Sequence, residues 1–190
     1  MDRAPCGLAR DIGPAATAAL PARARRQAAG RQDAVNPIRL FDPVRENAIP
    51  LADLHKLCFA DPWDAQAIAR LSGGPGFALI HGPLARPDGF VLARVVADEA
   101  EILTLATHPQ KRRSGIGRAL MLAAAQQAQL RGAAQFFLEV DKRNSPAIAL
   151  YSALGFRKAG ERKGYYRIPT EAPADALVFV ADLPLRALSD

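Results

Sequence analysis

The sequence predicts an α/β (α+β) domain built from mixed strands and helices. Between residues 37 and 190, apolar runs of strand length such as Gly89–Val96 alternate with segments whose apolar residues recur at helical spacing. In addition, a strand over Glu101–Thr107 leads into a basic loop with a Gly-x-Gly sequence, and that loop opens a helix. A chain of 190 residues is long enough for one such domain and a tail.

The first 36 residues differ in composition from the rest of the chain. They contain eleven Ala, six Arg, three Pro and no aromatic residue, and they carry half of the net charge of +6. Such a segment has little large apolar surface to offset the entropy lost on ordering. We therefore expect a disordered or loosely helical tail at 1–36 and a folded domain at 37–190. An Arg-rich organellar transit peptide and an over-extended translation start are the alternatives.

Composition excludes several functional classes. No apolar run reaches the length of a membrane-spanning helix, so no membrane association is expected. Cys6 and Cys58 are too few for a disulfide framework or a four-cysteine zinc site, which favours a cytoplasmic protein. His55, His81 and His108 have no metal-ligand spacing, and we expect no metal. Six tail arginines without aromatic residues do not favour nucleic-acid binding.

The first half of the domain predicts three strands and two helices. Ile38–Phe41 is typical of a short first strand, and apolar spacing predicts a helix over 50–59. Asp64 can cap a second helix that extends to Leu71. Two apolar runs separated by a polar loop then predict an antiparallel pair of strands, Phe77–Ile80 and Gly89–Val96.

The most informative stretch is R-x-x-G-x-G at Arg112–Gly117, which opens a helix with apolar residues at 116, 119, 120, 123 and 124. Gly132 is placed to end that helix. Glycines allow close backbone approach, and the free N–H groups of the first helical turn attract anions. The pattern is neither a Walker A loop nor a complete dinucleotide-binding fingerprint. It predicts a phosphate or pyrophosphate site.

The second half begins with a strand over Gln135–Val140. Ser145 is a candidate helix cap and Pro146 suits the first helical position, so we expect a helix from there to Phe156.

Several short sequences, taken in order, resemble the GCN5-related N-acetyltransferase (GNAT) superfamily, and in particular its ribosomal-protein-alanine acetyltransferase (RimI-like) branch. They are the Gly-x-Gly loop, Leu138-Glu139-Val140, Asn144, Ala149-Leu150-Tyr151, Leu154-Gly155-Phe156, Cys58 to Trp63, and Gly164-Tyr165-Tyr166. The resemblance covers about residues 37–184 and leaves the tail outside.

This resemblance implies a fold and a cofactor. The fold is a mixed, mostly antiparallel sheet of about seven strands, flanked by about four helices and splayed between strands 4 and 5. Acetyl-CoA would occupy the opening, with its pantetheine arm on the backbone of Leu105 and Thr107. Its remaining implied contacts are Arg112, Arg113, Ser114, Gly115, Ile116, Gly117, Arg118 and Asn144. The family often has Val in place of Thr107, a minor departure for a backbone contact.

The resemblance also implies catalytic residues. Glu139 matches a proposed general base, and a carboxylate within the apolar run 136–140 would be desolvated and more basic. Tyr151 matches the acid that protonates the leaving thiolate. Without the resemblance, Glu139 reads as a structural carboxylate at a strand end and Tyr151 as a core aromatic. Glu101, which matches the base of another branch, is the rival to Glu139.

The expected acceptor is the N-terminal α-amine of a protein, a ribosomal protein in this branch, and the enzyme is expected as a monomer or weak dimer. A small amine or a lysine side chain is the alternative acceptor, and a non-catalytic acyl-CoA-binding module is the alternative class. Trp63, Tyr165 and Tyr166 either line the acceptor groove or pack at the end of the sheet.

Overall fold

The structure, a computed structural model, describes residues 37–166 and 173–185. The proposed tail at 1–36 lies outside the described residues. In the described part, seven strands form one sheet in the order β1-β2-β3-β4-β5-β7-β6, and only the β4–β5 pair is parallel. The predicted mixed, mostly antiparallel sheet is confirmed. The strands are β1 (Ile38–Leu40), β2 (Gly76–His81), β3 (Gly89–Val96), β4 (Glu99–Thr107), β5 (Gln135–Asp141), β6 (Arg157–Tyr166) and β7 (Ala174–Asp182).

Four α-helices flank the sheet in the same described ranges: α1 (Ile49–Cys58), α2 (Ala65–Leu71), α3 (Ile116–Leu130) and α4 (Ser145–Ala153). As predicted, the Asp64 carboxylate caps α2 by accepting a hydrogen bond from the Ala67 N–H at 2.7 Å. Gly132, at φ 94°, ends α3. The next residue, Ala133, returns its N–H to the carbonyl oxygen of Ala128, so the last turn is closed. No helix in these ranges is long and apolar enough to cross a bilayer.

The start of α4 differs from the prediction by one residue. Asn144, not Ser145, is the cap, because its side-chain oxygen accepts a hydrogen bond from the N–H of Ala147 at 3.2 Å. Pro146 is consequently the second helical residue. Asn and Ser are comparable caps, so local preference alone does not choose between neighbours.

Two apolar cores cover the two faces of the sheet. Successive residues of β2 enter different cores, since Phe77 and Leu79 pack with α3 whereas Ala78 and Ile80 pack with α1 and α2. This alternation is the ordinary period of a strand buried on both faces. The helix with the Gly-x-Gly entry therefore lies across the sheet from α1 and α2.

A β-bulge changes the side-chain direction of β4 half-way along. Leu92 on β3 is opposite Thr104, whereas the next residue, Ala93, is opposite Ile102. Leu103 is thus an extra residue on β4. Before it, Ile102 packs in the α3 core; after it, Thr104 faces α1, where it meets His55.

Candidate active site

The sheet opens between β4 and β5, as the family resemblance implies. The two strands pair only where Glu99–Ile102 runs beside Gln135–Leu138. Beyond these residues β4 continues along β3 to Thr107, and β5 continues along β7 to Asp141. The last five residues of β4 are therefore not paired with β5. A backbone edge of this kind can accept an extended ligand as an additional strand.

The basic loop at the end of β4 has the geometry of an anion site. A short 3-10 turn over Pro109–Lys111 leads into Arg113 and Gly115, which adopt left-handed conformations with φ 65° and 84°. Gly115 caps α3, so the N–H groups from Gly115 to Arg118 precede the first intrahelical hydrogen bonds. Turns of this type direct consecutive N–H groups to one point. The expected ligand residues Arg112, Arg113, Ser114 and Arg118 are exposed around it, and Ile116 is buried with its side chain in the α3 core.

Gly117 lies where three elements of the site converge. A Cβ atom on Gly117 would lie 3.4 Å from the Leu150 side chain on α4, 3.8 Å from the Thr107 hydroxyl and 4.0 Å from Leu105. The start of α3 is therefore close to the end of β4 and to the helix that carries Tyr151. The sequence-predicted residues 105, 107, 117 and 151 belong to one region of the fold.

Gly115 offers a test of the anion loop. In Gly115→Ala, the left-handed conformation would cost about 1–2 kcal/mol, and relief of that strain would turn the amides away from the bound anion. We expect acetyl-CoA affinity, measured by isothermal titration calorimetry, to fall about tenfold. Gly132→Ala is the matched control, since Gly132 is also left-handed and a Cβ would likewise have no neighbour within 4 Å. Equal loss of affinity in both variants would contradict the assignment of the loop.

Tyr151 lies on α4 and is 7 % exposed. Its ring meets Phe156 edge-on, with ring centroids 5.9 Å apart. It belongs to the α3 core, as the structural reading of the sequence also expects. Asn144 begins the same helix, and its side-chain oxygen is used for the cap.

Glu139 is paired with a cation that the sequence analysis missed. Strand alternation directs Phe136, Leu138 and Val140 into the α3 core and Glu139 to the opposite face. There the Arg162 guanidinium donates a hydrogen bond to Glu139 Oε1 at 2.6 Å. The surroundings of Glu139 are therefore not the apolar ones suggested by its sequence neighbours, because its carboxylate faces a cationic side chain.

Tyr165 completes this cluster. A hydrogen bond to Glu139 and burial raise the pKa of Tyr165 above its ordinary value. The Arg162 guanidinium carbon lies 4.3 Å from the centre of the Tyr165 ring, a cation–π contact. Tyr165 is 44 % exposed, so its ring is available at the surface. The side chain of Tyr166 lies outside the described residues.

Glu101, the rival to Glu139, has a similar environment on the neighbouring strand. Its Oε2 accepts hydrogen bonds from Arg94 at 2.6 and 2.8 Å. Glu101 and Glu139 line the same cleft of about 450 Å³, together with Phe137 and Val178. Both carboxylates therefore face the same cleft, Glu101 paired with Arg94 and Glu139 paired with Arg162.

The other candidates from the sequence are accounted for locally. His108 begins the 3-10 turn and its Nδ1 accepts a hydrogen bond from the backbone N–H of Gln110 at 3.3 Å. The Cys58 thiol donates to the carbonyl oxygen of Thr107 at 3.4 Å. Burial raises the pKa of Cys58, although Arg112 opposes the shift, so the thiol stays protonated. Trp63 is half-buried. Its backbone N–H donates a hydrogen bond to His55, and its ring stacks on the His55 imidazole.

The sequence and the fold are similar to those of known acetyltransferases. Residues 49–156 match the acetyltransferase (GNAT) family. The [ribosomal protein bS18]-alanine N-acetyltransferase of Escherichia coli (strain K12) is 35 % identical over 129 residues, which cover 66 % of this chain and 84 % of that protein.

Solved structures give the same relationship. The crystal structure of the ribosomal-protein-S18-alanine N-acetyltransferase from Escherichia coli superposes with a TM-score of 0.70 and 28 % identity, over 78 % of this chain and 94 % of that one. Arabidopsis thaliana NAA60 in complex with acetyl-CoA shares the fold, with a TM-score of 0.66 and 22 % identity over 77 % of this chain and 97 % of that one. This chain therefore belongs to the GNAT family and is an N-acetyltransferase homologous to the bS18-alanine enzymes.

Proposed function

We propose that this enzyme transfers an acetyl group from acetyl-CoA to the N-terminal α-amine of a protein, and that the acceptor is the N-terminal alanine of a ribosomal protein. The observation that carries the proposal is the arrangement around the β4–β5 opening. The anion loop lies at the end of β4, and a carboxylate–guanidinium–phenol cluster lies on the opposite face of β5. The identity to bS18-alanine N-acetyltransferases supports the choice of acceptor.

In the proposed complex, the coenzyme phosphates bind the amides of Gly115 to Arg118, with Arg112 and Arg113 as counter-charges. The pantetheine arm lies along the unpaired part of β4, at Leu105 and Thr107, and Asn144 contacts the coenzyme at the start of α4. Helix N-termini and left-handed turns favour bound phosphate, which is why this loop suits a pyrophosphate. The thioester then reaches the opening between the strands.

The proposed reaction is a direct transfer. An α-amine has a pKa near 7.7–8.0, so a substantial fraction is neutral at neutral pH and a modest base suffices. The amine nitrogen attacks the thioester carbonyl, a C–N bond forms and the C–S bond breaks. Glu139 accepts the amine proton directly or through water, and Tyr151 donates its phenolic proton to the departing thiolate. After release, water carries the proton that Glu139 accepted back to the Tyr151 phenolate, which restores both groups.

The pairing of Glu139 with Arg162 bears on the first step. A carboxylate has two oxygens with about four acceptor sites, so Glu139 can accept the Arg162 hydrogen bond and a further one from an ammonium group. Glu139 would thus hold the α-ammonium before deprotonation as well as accept its proton. The exposed Tyr165 ring, stacked on Arg162, would contact the acceptor beside this point.

Acetyl-CoA with a panel of peptides tests the proposal through the rate of CoA release. Peptides that begin with Ala should react faster than those beginning with Ser or Met. A peptide with a blocked N-terminus and an internal lysine serves as the control and should not react. Absence of turnover on every free α-amine would contradict the proposed function, and reaction of the blocked peptide would point to a lysine acceptor.

A further inference from the structure

His55 occupies an unusual environment on α1. His55 is 3 % exposed, and its imidazole stacks with two aromatic rings. The Phe59 ring centroid is 4.2 Å away at an interplanar angle of 20°, and the Trp63 centroid is 5.2 Å away at 12°. The stack joins the last turn of α1 to the segment that precedes α2. Stacked and buried, the ring has little freedom to move.

Both ring nitrogens of His55 have hydrogen-bond partners in different elements. The backbone N–H of Trp63 donates to Nδ1 at 3.1 Å, so Nδ1 is an acceptor. Nε2 consequently carries the hydrogen and donates to the Thr104 hydroxyl at 3.2 Å. Burial lowers the pKa of His55, and the Asp61 charge opposes this shift only in part. The lowered pKa favours the neutral imidazole. The imidazole is a fixed bridge between Trp63 and Thr104.

The bridge reaches the part of β4 that faces the opening. Thr104 follows the bulge at Leu103, and it lies beyond the last β4 residue that pairs with β5. Without the bulge, the Thr104 side chain would face α3 and could not meet His55. His55 thus ties the Phe59–Trp63 segment to the same strand whose backbone we assign to the coenzyme.

We propose that His55 is a positioning residue for the acceptor. It fixes the segment from Phe59 to Trp63 against β4, so that the exposed Phe59 ring and the half-buried Trp63 form a rigid wall beside the thioester. This inference rests on the proposed function, since it assigns that wall to the acceptor peptide. His55 contacts neither reactant and acts through the two aromatic residues and Thr104.

The test uses the full chain with three variants. His55→Ala removes the stack and both hydrogen bonds, and should raise KM for an Ala-initiated peptide about tenfold, with KM for acetyl-CoA within about twofold. His55→Asn keeps an oxygen that can accept a hydrogen bond from the backbone N–H of Trp63. Its peptide KM should therefore lie between those of the wild type and His55→Ala. Thr104→Val removes only the Nε2 partner and should give an intermediate KM.

Arg131→Ala controls for general destabilisation. Arg131 packs its guanidinium 4.7 Å from the centre of the Phe77 ring and donates to the Gly76 carbonyl at 3.1 Å, at the far end of α3. Its loss should lower thermal stability and leave the peptide KM unchanged. A folded His55→Ala with an unchanged peptide KM, or with equal increases in both KM values, would overturn the proposal.

Trp63 provides a readout that does not depend on turnover, because it is the only tryptophan of the chain. In His55→Ala, its fluorescence emission should shift to longer wavelength and its quenching by acrylamide should increase. Unchanged emission and quenching in the folded variant would overturn the positioning role. Failure of the wild type to acetylate any α-amine would instead refute the proposed function and leave the fluorescence result interpretable.

Discussion

Tyr151→Phe is expected to lower kcat about a hundredfold, the lower end of the range for loss of a general acid. The thiolate of CoA would then leave without a proton from the enzyme. The ring itself is retained, so the edge-on contact with Phe156 and the buried position in the α3 core persist. Acetyl-CoA affinity and thermal stability should therefore stay close to those of the wild type.

Steady-state kinetics with a saturating Ala-initiated peptide, together with calorimetric titration of acetyl-CoA, give this comparison directly. A Tyr151→Phe enzyme with full kcat would show that Tyr151 is only a core residue. A parallel fall in coenzyme affinity would show that its hydroxyl acts in binding. Either result would remove the acid assignment while leaving the anion loop intact.

Glu139→Gln is expected to lower kcat by roughly two orders of magnitude, as for loss of a general base. The amide retains the size of the side chain and can still accept a hydrogen bond from Arg162, but it cannot take a proton. The Arg162 side chain is 56 % exposed, so its loss of a charged partner should change stability little. KM for the peptide should also rise, because the carboxylate attracts the α-ammonium.

Glu101→Gln is the matched control, because Glu101 lines the same cleft and is also paired with an arginine. We expect its kcat to remain within about threefold of the wild type, a surface-substitution effect. The opposite ranking of the two variants would transfer the role of base to Glu101. Equal and small effects in both would mean that neither glutamate moves the proton.

The features that the sequence predicts well are local ones. The entry of α3 is signalled by Gly115 and Gly117, its end by Gly132, and its buried face by apolar spacing, and each signal lies within a few residues of the structure it specifies. The opening between β4 and β5 was predictable only through the family resemblance. The residue composition of two strands does not by itself indicate where their pairing ends.

The features that escape the sequence depend on register between distant strands. Arg162 meets Glu139 because β7 pairs with both β5 and β6, which brings two residues 23 positions apart in the sequence within reach of each other across β7. His55 meets Thr104 because one extra residue on β4 turns that side chain toward α1. The sequence around His55, and the charged strand β6 that carries Arg162, contain no local pattern that indicates these contacts.

We predict that the enzyme places the acetyl group on a protein α-amine, and one peptide can test this prediction. The peptide carries both a free N-terminal alanine and an internal lysine, and fragmentation mass spectrometry after reaction with acetyl-CoA locates the added acetyl group. Acetyl on the alanine nitrogen, with the lysine unmodified, is the result that we predict. Acetyl on the lysine, or no acetylation of either amine, would contradict the account.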